Sequence, residues 1–199
     1  MTATVFLVRH VPHTEQDKVQ VGRMTDIHWA EGSAEIAQAA ADRLKGERLD
    51  AVISSSLERA RRTAETVAEP HGLAVETDEA LLELDFGEWT GRTFEALEDE
   101  PSYRQWNAAR SLHRPPGGES MLECQARMVG ALERARAAHP DGRIAMVSHG
   151  DPLKSLILHI LGLPLDAWNR FDLDPGSVSA AVVGDWGAKM LFLNERPAV

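Results

Sequence analysis

The chain has 199 residues, of which 43% are hydrophobic and 26% are charged, so its composition is that of a globular protein and excludes a disordered chain. This length allows one domain with a full core, and we expect a single domain over residues 1–199. The 31 acidic and 21 basic residues give a formal net charge of −10, which repels phosphate backbones and anionic lipid and argues against a nucleic-acid or membrane partner.

The single cysteine, Cys124, has no second thiol for an intramolecular disulfide, so we expect it to pack as a small apolar residue in a reducing compartment. No stretch reaches the roughly 18 consecutive apolar residues typical of a transmembrane helix. The first residues, MTAT, also lack the basic start of a signal peptide. These features together predict a cytoplasmic protein.

The first predicted strand covers residues 4–8, a short run of β-branched, aromatic and aliphatic side chains that is typical of a buried strand. It ends at the polar pair Arg9 and His10. Apolar residues then recur at every fourth position, which predicts a helix over residues 33–45.

A second strand is predicted over residues 51–53, and three serines, residues 54–56, follow it directly. Ser56 is expected to cap a helix with a regular apolar stripe that ends at Pro70. Arg59 lies in the first turn of this helix, close to the end of the preceding strand.

The middle of the chain is less regular. We predict a short strand over residues 74–77, a loop that crosses the fold over residues 81–87, and a helical segment over residues 93–109. The sequence PPGG at residues 115–118 is a clear break, although it is too short to separate two domains.

A long helix follows this break. Ser120 and Glu123 have the spacing of a capping box, and the helical pattern stops near Pro140. Residues 144–147 then form another apolar strand, which ends at Ser148 and His149.

The last helix and strands complete the predicted fold. Asp151 is expected to cap the helix, with Pro152 at its first position and Gly162 as its stop. Residues 178–183 and 190–193 read as a closing hairpin. Strands that alternate with helices of this length predict a three-layer α/β/α sandwich with a mainly parallel sheet.

Polar residues follow three of the predicted strands at the sheet edge where ligands bind in α/β proteins. Arg9 and His10 follow the first strand, Arg59 follows the second, and His149 follows the later one. A lone histidine after a strand is usually a structural hydrogen-bonding residue. Two such histidines with two arginines instead indicate a site for a dianionic oxygen group, because guanidinium forks and helix N-termini bind phosphate.

Five segments in this order carry a resemblance to a known family: LVRH (7–10) followed by Thr14, SSSLERARRTA (54–64), ELDFGEWTG (83–91), GGES (117–120) and SHG (148–150). The chain resembles the histidine phosphatase superfamily in its phosphoglycerate-mutase-like branch. The resemblance runs from the first strand to about Gly162, and it implies a phosphoglycerate-mutase-like fold and a catalytic domain.

The resemblance implies a role for each strand-end residue. His10 is the nucleophile that forms a phosphohistidine, while Arg9, Arg59 and His149 complete the phosphate pocket. A protonated His149 would add a further donor. Glu83 is the proton donor to the leaving group, and its pKa must be raised for that role.

Spacing alone does not choose the proton donor, because four other carboxyl groups lie close to Glu83 in the sequence. The family pattern of a glutamate, two residues, an aromatic residue and a glycine selects Glu83. The competing residues are Asp78, Glu79, Asp85 and Glu88.

The first loop departs from the family pattern. Val11 replaces the usual glycine after the nucleophile, and Pro12 and His13 make the loop one residue longer. Thr14 is a candidate phosphate binder in this loop. The mutase branch carries Trp-Asn shortly afterwards, whereas residues 15–18 here read EQDK, and this difference weakens the mutase interpretation.

The predicted function is a phosphatase that hydrolyses a small phosphomonoester and releases inorganic phosphate. A phosphoglycerate mutase that uses the same phosphohistidine is the alternative, and a non-catalytic phospho-ligand binder is a further one. The other histidines show no metal-ligand spacing, so neither metal nor cofactor is expected.

Several points stay open in the sequence. The substrate alcohol and the oligomeric state have no indicator, and Trp106 and Trp168 fit either a core or a contact role. Arg62 reads as part of an exposed helix face or as a substrate contact. The loop over residues 117–120 is expected to shape the mouth of the site.

Overall fold

A six-stranded sheet organises the chain in the computed structural model, which describes residues 2–198. The strands are β1 Thr2–Arg9, β2 Ala51–Ser54, β3 Val75–Thr77, β4 Arg143–Ser148, β5 Val178–Gly184 and β6 Gly187–Glu195. Their order across the sheet is β3-β2-β4-β1-β5-β6. The first four are parallel, and β5 and β6 add an antiparallel hairpin, which confirms the mainly parallel sheet.

Helices cover both faces of this sheet. They are α1 Ser33–Leu44, α2 Glu58–Ala68, α3 Phe94–Glu98, α4 Pro101–Ala108, α5 Met121–Ala138 and α6 Gly150–Leu161. Alternate residues of β1 point to opposite layers: Phe6 and Val8 pack in the core with α1 and α2, whereas Val5 and Leu7 pack with α5 and α6. The predicted three-layer α/β/α sandwich is therefore confirmed.

The sequence predicted one helical segment over residues 93–109, but the structure has two helices there. α3 ends at Glu98 and α4 begins at Pro101, because a proline disfavours the helical conformation of the residue before it. Both short helices pack on the core, α3 through Leu97 and α4 through Trp106.

Two predicted helix caps are wrong. Ser56 is exposed and makes no capping bond; Ser55 instead accepts a hydrogen bond from the backbone N–H of Leu57 at 3.3 Å. The last helix begins at Gly150, so Asp151 lies inside its first turn rather than at its cap. The residues that directly follow the two strands, Ser55 and His149, are hydrogen-bonded to each other in the site described below.

Other local predictions are confirmed. Ser120 and Glu123 form both bonds of the capping box, and α6 stops at Gly162 in the left-handed conformation. Cys124 is buried in the core, where burial raises the pKa of its thiol to about 12. Over residues 2–198, no helix has the length and apolar character needed to cross a membrane.

The sheet topology places three chain segments side by side. β1 pairs with β4 so that Arg9 lies opposite Ser148, and β4 pairs with β2 so that Val147 lies opposite Ser54. All three strands are parallel and end at the same edge. The residues that follow them therefore meet there, at the start of α2 and α6.

Candidate active site

A cavity of about 80 Å³ lies at this edge of the sheet. Four of the predicted site residues line it, and they come from three separate parts of the chain: Arg9, His10, Arg59 and Glu83. Because Glu83 lies on the crossing loop, the cavity has strand-end groups on one side and a carboxyl group on another.

His10 is a neutral imidazole with a defined tautomer. Its Nδ1 lies 2.7 Å from the carbonyl oxygen of Val11, so Nδ1 carries the hydrogen and donates it to that oxygen. Burial lowers the pKa of His10 well below 6.5, and the charges of Arg59 and Arg9 lower it further. The Nε2 atom has no hydrogen-bond partner within residues 2–198, so its lone pair is available to the cavity.

The two arginines have hydrogen-bond donors to spare. Arg59 is 1% exposed and donates to the carbonyl oxygens of Gly22 at 2.7 Å and Met24 at 3.3 Å. Arg9 donates from Nη1 to the carbonyl oxygen of Leu173 at 2.5 Å. The Nε atom of each arginine is buried without a partner among the described residues, which is the condition that a bound anion relieves.

Arg59 keeps its charge at neutral pH although it is buried. Burial lowers the pKa of its guanidinium to about 10, the nearby carboxyl of Glu83 raises it, and Arg9 lowers it. The pKa of Arg9 is lowered chiefly by burial as well. Two guanidinium cations at one cavity favour a ligand with two negative charges.

His149 lies directly behind His10, with 5.0 Å between the two ring centroids. Its Nε2 lies 2.8 Å from Oγ of Ser55, and burial lowers its pKa well below 6.5, followed by the effect of Arg59. The sequence analysis expected a protonated His149 to supply a hydrogen-bond donor, but with this lowered pKa the ring is neutral at neutral pH. When the Ser55 hydroxyl donates to Nε2, the neutral ring carries its hydrogen on Nδ1, which has no partner in the described chain.

Glu83 has the raised pKa that a proton donor needs at neutral pH. Burial raises the pKa of its carboxyl to about 7, with a further contribution from Asp151. One carboxylate oxygen accepts a hydrogen bond from the backbone N–H of Leu84 at 2.8 Å. Both arginines of the cavity act in the opposite direction and limit the rise.

The four competing carboxyl groups lie elsewhere. Asp78 caps a short turn and pairs with Arg134, Asp85 accepts a hydrogen bond from the backbone of Gly87, and Glu79 and Glu88 are exposed. Of the five carboxyl groups that spacing left open, Glu83 is the one that lines the cavity.

The backbone of Glu83 is held by a partly buried ionic network. Its carbonyl oxygen accepts hydrogen bonds from Arg23 at 2.8 Å and from Arg127 at 3.3 Å. Both arginines also bind the carboxylate of Glu119. The loop over residues 117–120 thus contacts the site through Glu119, which helps to hold the backbone of Glu83.

His13 is a cavity residue that the sequence did not assign to the site. It is 6% exposed, its ring centroid lies 5.6 Å from that of His10, and its Nδ1 is buried without a partner in the described chain. Burial lowers the pKa of His13 to about 4, followed by the effects of Arg59 and Arg9. Its position three residues after His10 was the one sequence feature that could have indicated a place in the cavity.

Two open candidates lie outside the cavity. Thr14 is exposed and does not line it, so the longer first loop brings His13 rather than Thr14 into the site. Arg62 lies 4.2 Å from the ring centroid of Trp29 and pairs with Glu58 on the outer face of α2. The loop is held in place where the N–H of Val11 donates to Oγ1 of Thr63.

Sequence comparison matches the chain over residues 5–196 to the histidine phosphatase superfamily (branch 1). "Phosphoserine phosphatase 1" of Hydrogenobacter thermophilus is 32% identical over 189 residues, which cover 92% of this chain and 90% of the relative. "Probable phosphoglycerate mutase GpmB" of Cronobacter sakazakii is 36% identical over 177 residues, which cover 88% of this chain and 82% of the relative.

Solved structures show the same fold. The mycobacterial glucosyl-3-phosphoglycerate phosphatase is 25% identical with a TM-score of 0.87, and the match covers 98% of this chain and 99% of the other. YhfR of Bacillus stearothermophilus is 25% identical with a TM-score of 0.91, and 97% of each chain is covered. The fold and the sequence thus point to one family, whose relatives include both phosphatases and mutase-like proteins.

Proposed function

The chain belongs to branch 1 of the histidine phosphatase superfamily, and we propose that it hydrolyses a small phosphomonoester through a phosphohistidine on His10. One observation carries this proposal: the cavity holds a neutral imidazole with a free Nε2, two guanidinium cations with unmet donors, and a carboxyl group whose pKa is about 7. Phosphatases among the relatives support it.

In the first step, the Nε2 lone pair of His10 attacks phosphorus, an N–P bond forms, and the ester P–O bond breaks. Arg9 and Arg59 stabilise the charge on the non-bridging oxygens. The protonated Glu83 carboxyl donates its proton to the departing oxygen, so a neutral alcohol leaves. His10 keeps its Nδ1 hydrogen and becomes a positively charged phosphoimidazole, which the carbonyl oxygen of Val11 stabilises.

In the second step, water attacks phosphorus and the N–P bond breaks. The Glu83 carboxylate takes one proton from the water, inorganic phosphate forms, and the electron pair of the broken bond returns to Nε2. Both His10 and Glu83 are then in their starting protonation states. The same two groups therefore serve both displacements, and the reaction consumes only the ester and one water molecule.

A rapid-quench experiment with an ester labelled in its phosphoryl group tests the proposal. We expect an acid-labile, base-stable label on the wild-type protein and steady release of phosphate that requires no acceptor alcohol. His10→Ala should abolish both while its circular dichroism spectrum stays unchanged. His28→Ala is the matched control, because His28 is exposed on a neighbouring loop.

The other outcomes contradict the proposal in distinct ways. A label that persists in His10→Ala places the nucleophile elsewhere. A phosphoenzyme that lasts for minutes and is discharged only by 3-phosphoglycerate identifies a mutase. Binding of phosphate esters with neither label nor release identifies a non-catalytic binder.

A further inference from the structure

A second and larger pocket opens beside the small cavity that Arg9, His10, Arg59 and Glu83 line. Its volume is about 690 Å³, and Gln20 and Phe94 line both spaces. The pocket is built mainly by α3 and α4, with Asp151 of α6 and Trp168 at its other side. The alcohol part of an ester whose phosphoryl group lies in the small cavity therefore has an adjoining space of the size that ligands occupy.

The walls of this pocket are aromatic and held in place by packing. Phe94, Tyr103, Trp106 and Trp168 all line it. Trp106 is 1% exposed and makes an edge contact with Trp89 at 5.7 Å between ring centroids, and its ring lies 6.1 Å from that of Tyr103. Trp106 therefore supports the wall from within the core, and the half-buried rings of Phe94, Tyr103 and Trp168 offer a preformed apolar surface rather than one that a ligand must order.

The buried cation in the wall is already neutralised. The guanidinium of Arg110 lies between two rings, with its Cζ 3.7 Å from the centroid of Trp106 and 3.4 Å from that of Trp168. It donates to the Asp151 carboxylate at 2.5 Å and to Asn107 at 3.1 Å. Its Nε is buried without a partner among the described residues, as in Arg9 and Arg59, but those two donate only to backbone carbonyls, whereas a carboxylate already pairs with the charge of Arg110. A carboxylate on the substrate alcohol would have to displace Asp151 to reach this charge.

The second arginine of the pocket gives no better anion site. Arg104 is exposed, and it donates to the backbone carbonyl of Glu98 at 2.6 Å. An ion pair made there is screened by water and contributes little. Serine or glycerate as the leaving group would thus lack a desolvated cation and would leave most of the aromatic surface uncovered.

We propose that this pocket takes the alcohol part of the substrate, and that this alcohol is bulky, uncharged and rich in apolar or ring surface. The inference rests on the proposed phosphatase function and adds the substrate class to it. It depends on one observation: a small cationic cavity adjoins an aromatic pocket, and the buried cation of that pocket, Arg110, is paired with Asp151.

The test compares kcat/KM for ethyl, butyl, 2-phenylethyl and 2-(1-naphthyl)ethyl phosphates with phosphoserine and 3-phosphoglycerate. The four uncharged alcohols have similar acidity, so differences among them report binding rather than leaving-group chemistry. We expect kcat/KM to rise by at least about tenfold from the ethyl to the naphthylethyl ester. Phosphoserine and 3-phosphoglycerate should fall near or below the ethyl ester.

Variants of Trp168 locate the effect. Trp168→Ala removes one wall, so we expect the naphthylethyl ester to lose at least about ten times more kcat/KM than the ethyl ester, whereas Trp168→Phe keeps a ring and most of the preference. Trp186→Ala is the matched control, because Trp186 is 61% exposed in the turn between β5 and β6. It should leave the ratio of the two esters unchanged.

The failures are distinguishable. If phosphate is released fastest from phosphoserine or 3-phosphoglycerate, or equally from all esters, the inference about the alcohol is wrong and the phosphatase proposal stands. If Trp168→Ala lowers both ester rates equally, the pocket does not hold the alcohol. If no ester releases phosphate, the proposed function itself is overturned.

Discussion

The small cavity proposed to bind phosphate and the aromatic pocket beside it are built in different ways. The cavity takes its groups from strand ends of the central sheet and from one crossing loop, and its guanidinium and imidazole donors are only partly satisfied. The pocket is built largely from two short helices outside the sheet, and the buried cation in its wall is paired with Asp151. The cavity therefore has cationic groups without a carboxylate partner, whereas the pocket offers mainly aromatic surface.

This difference separates two parts of the proposed reaction. The phosphoryl end depends on groups whose positions follow from strand pairing, so it is tied to the stability of the fold. The alcohol end depends mainly on α3, α4 and Trp168, which are not strand ends. Changes in the cavity should therefore affect all esters, whereas changes in the pocket should alter the choice among them.

The largest expected effect comes from Glu83, which lines the small cavity. Glu83→Gln removes the proton donor, so alkyl esters should lose about 10²–10⁴-fold in kcat, while aryl esters lose far less because their leaving oxygen needs little protonation. Steady-state kinetics on phenyl and ethyl phosphate measure the difference. Glu88→Gln is the control, since Glu88 is exposed. Equal losses on both esters would reject Glu83 as the acid.

Arg59 should show the uniform behaviour of the cavity. Arg59→Ala removes a buried cation from beside the phosphoryl oxygens, so kcat/KM should fall by about 10²–10³-fold on every ester, with the order of preference kept. Arg62→Ala, one turn further along α2 and outside the cavity, should stay close to wild type. A change in ester preference in Arg59→Ala would contradict the separation of the two regions.

His13 offers a smaller test of the same cavity. Its neutral ring has an unpartnered Nδ1, and a hydrogen bond from this ring to the phosphoryl group should contribute about tenfold to kcat/KM. His13→Ala should also raise the inhibition constant of inorganic phosphate. His13→Gln, which retains a donor, should recover part of the loss. An unchanged inhibition constant in His13→Ala would show that this ring only packs against His10.

The smallest effect concerns pH and links the regions electrostatically. Asp151 helps to raise the pKa of Glu83, so Asp151→Asn should lower that pKa. Because the first step needs protonated Glu83, alkyl-ester turnover falls as pH rises through the pKa of about 7. In Asp151→Asn this fall should occur at lower pH, as a pH–rate profile of ethyl phosphate would show. A shift to higher pH would contradict the assigned charge effect.

Much of the fold and of the cavity could be predicted from local sequence. Apolar β-branched runs predict strands at β1, β2 and β4, because strand propensity and burial depend on residues close in the chain. Arg9, His10 and His149 were identified because they follow those runs. The spacing of Ser120 and Glu123 likewise predicted the capping box of α5, whose two bonds lie within four consecutive residues.

The remaining features depend on segments that are distant in the chain. The family pattern over residues 83–87 selected Glu83, but its place in the cavity depends on the folded chain. The entry of His13 into the cavity and the pairing of Arg110 with Asp151 likewise follow from no local pattern. The tautomer of His10 depends on a carbonyl placed by the loop, and the pKa of Glu83 on burial by the whole structure. The strands, most of the helices and the family could be read from the sequence, because they follow from local chemistry and ordered motifs. The protonation states, the shape of the cavity and the aromatic pocket required the folded chain, because burial and distance are properties of packed segments.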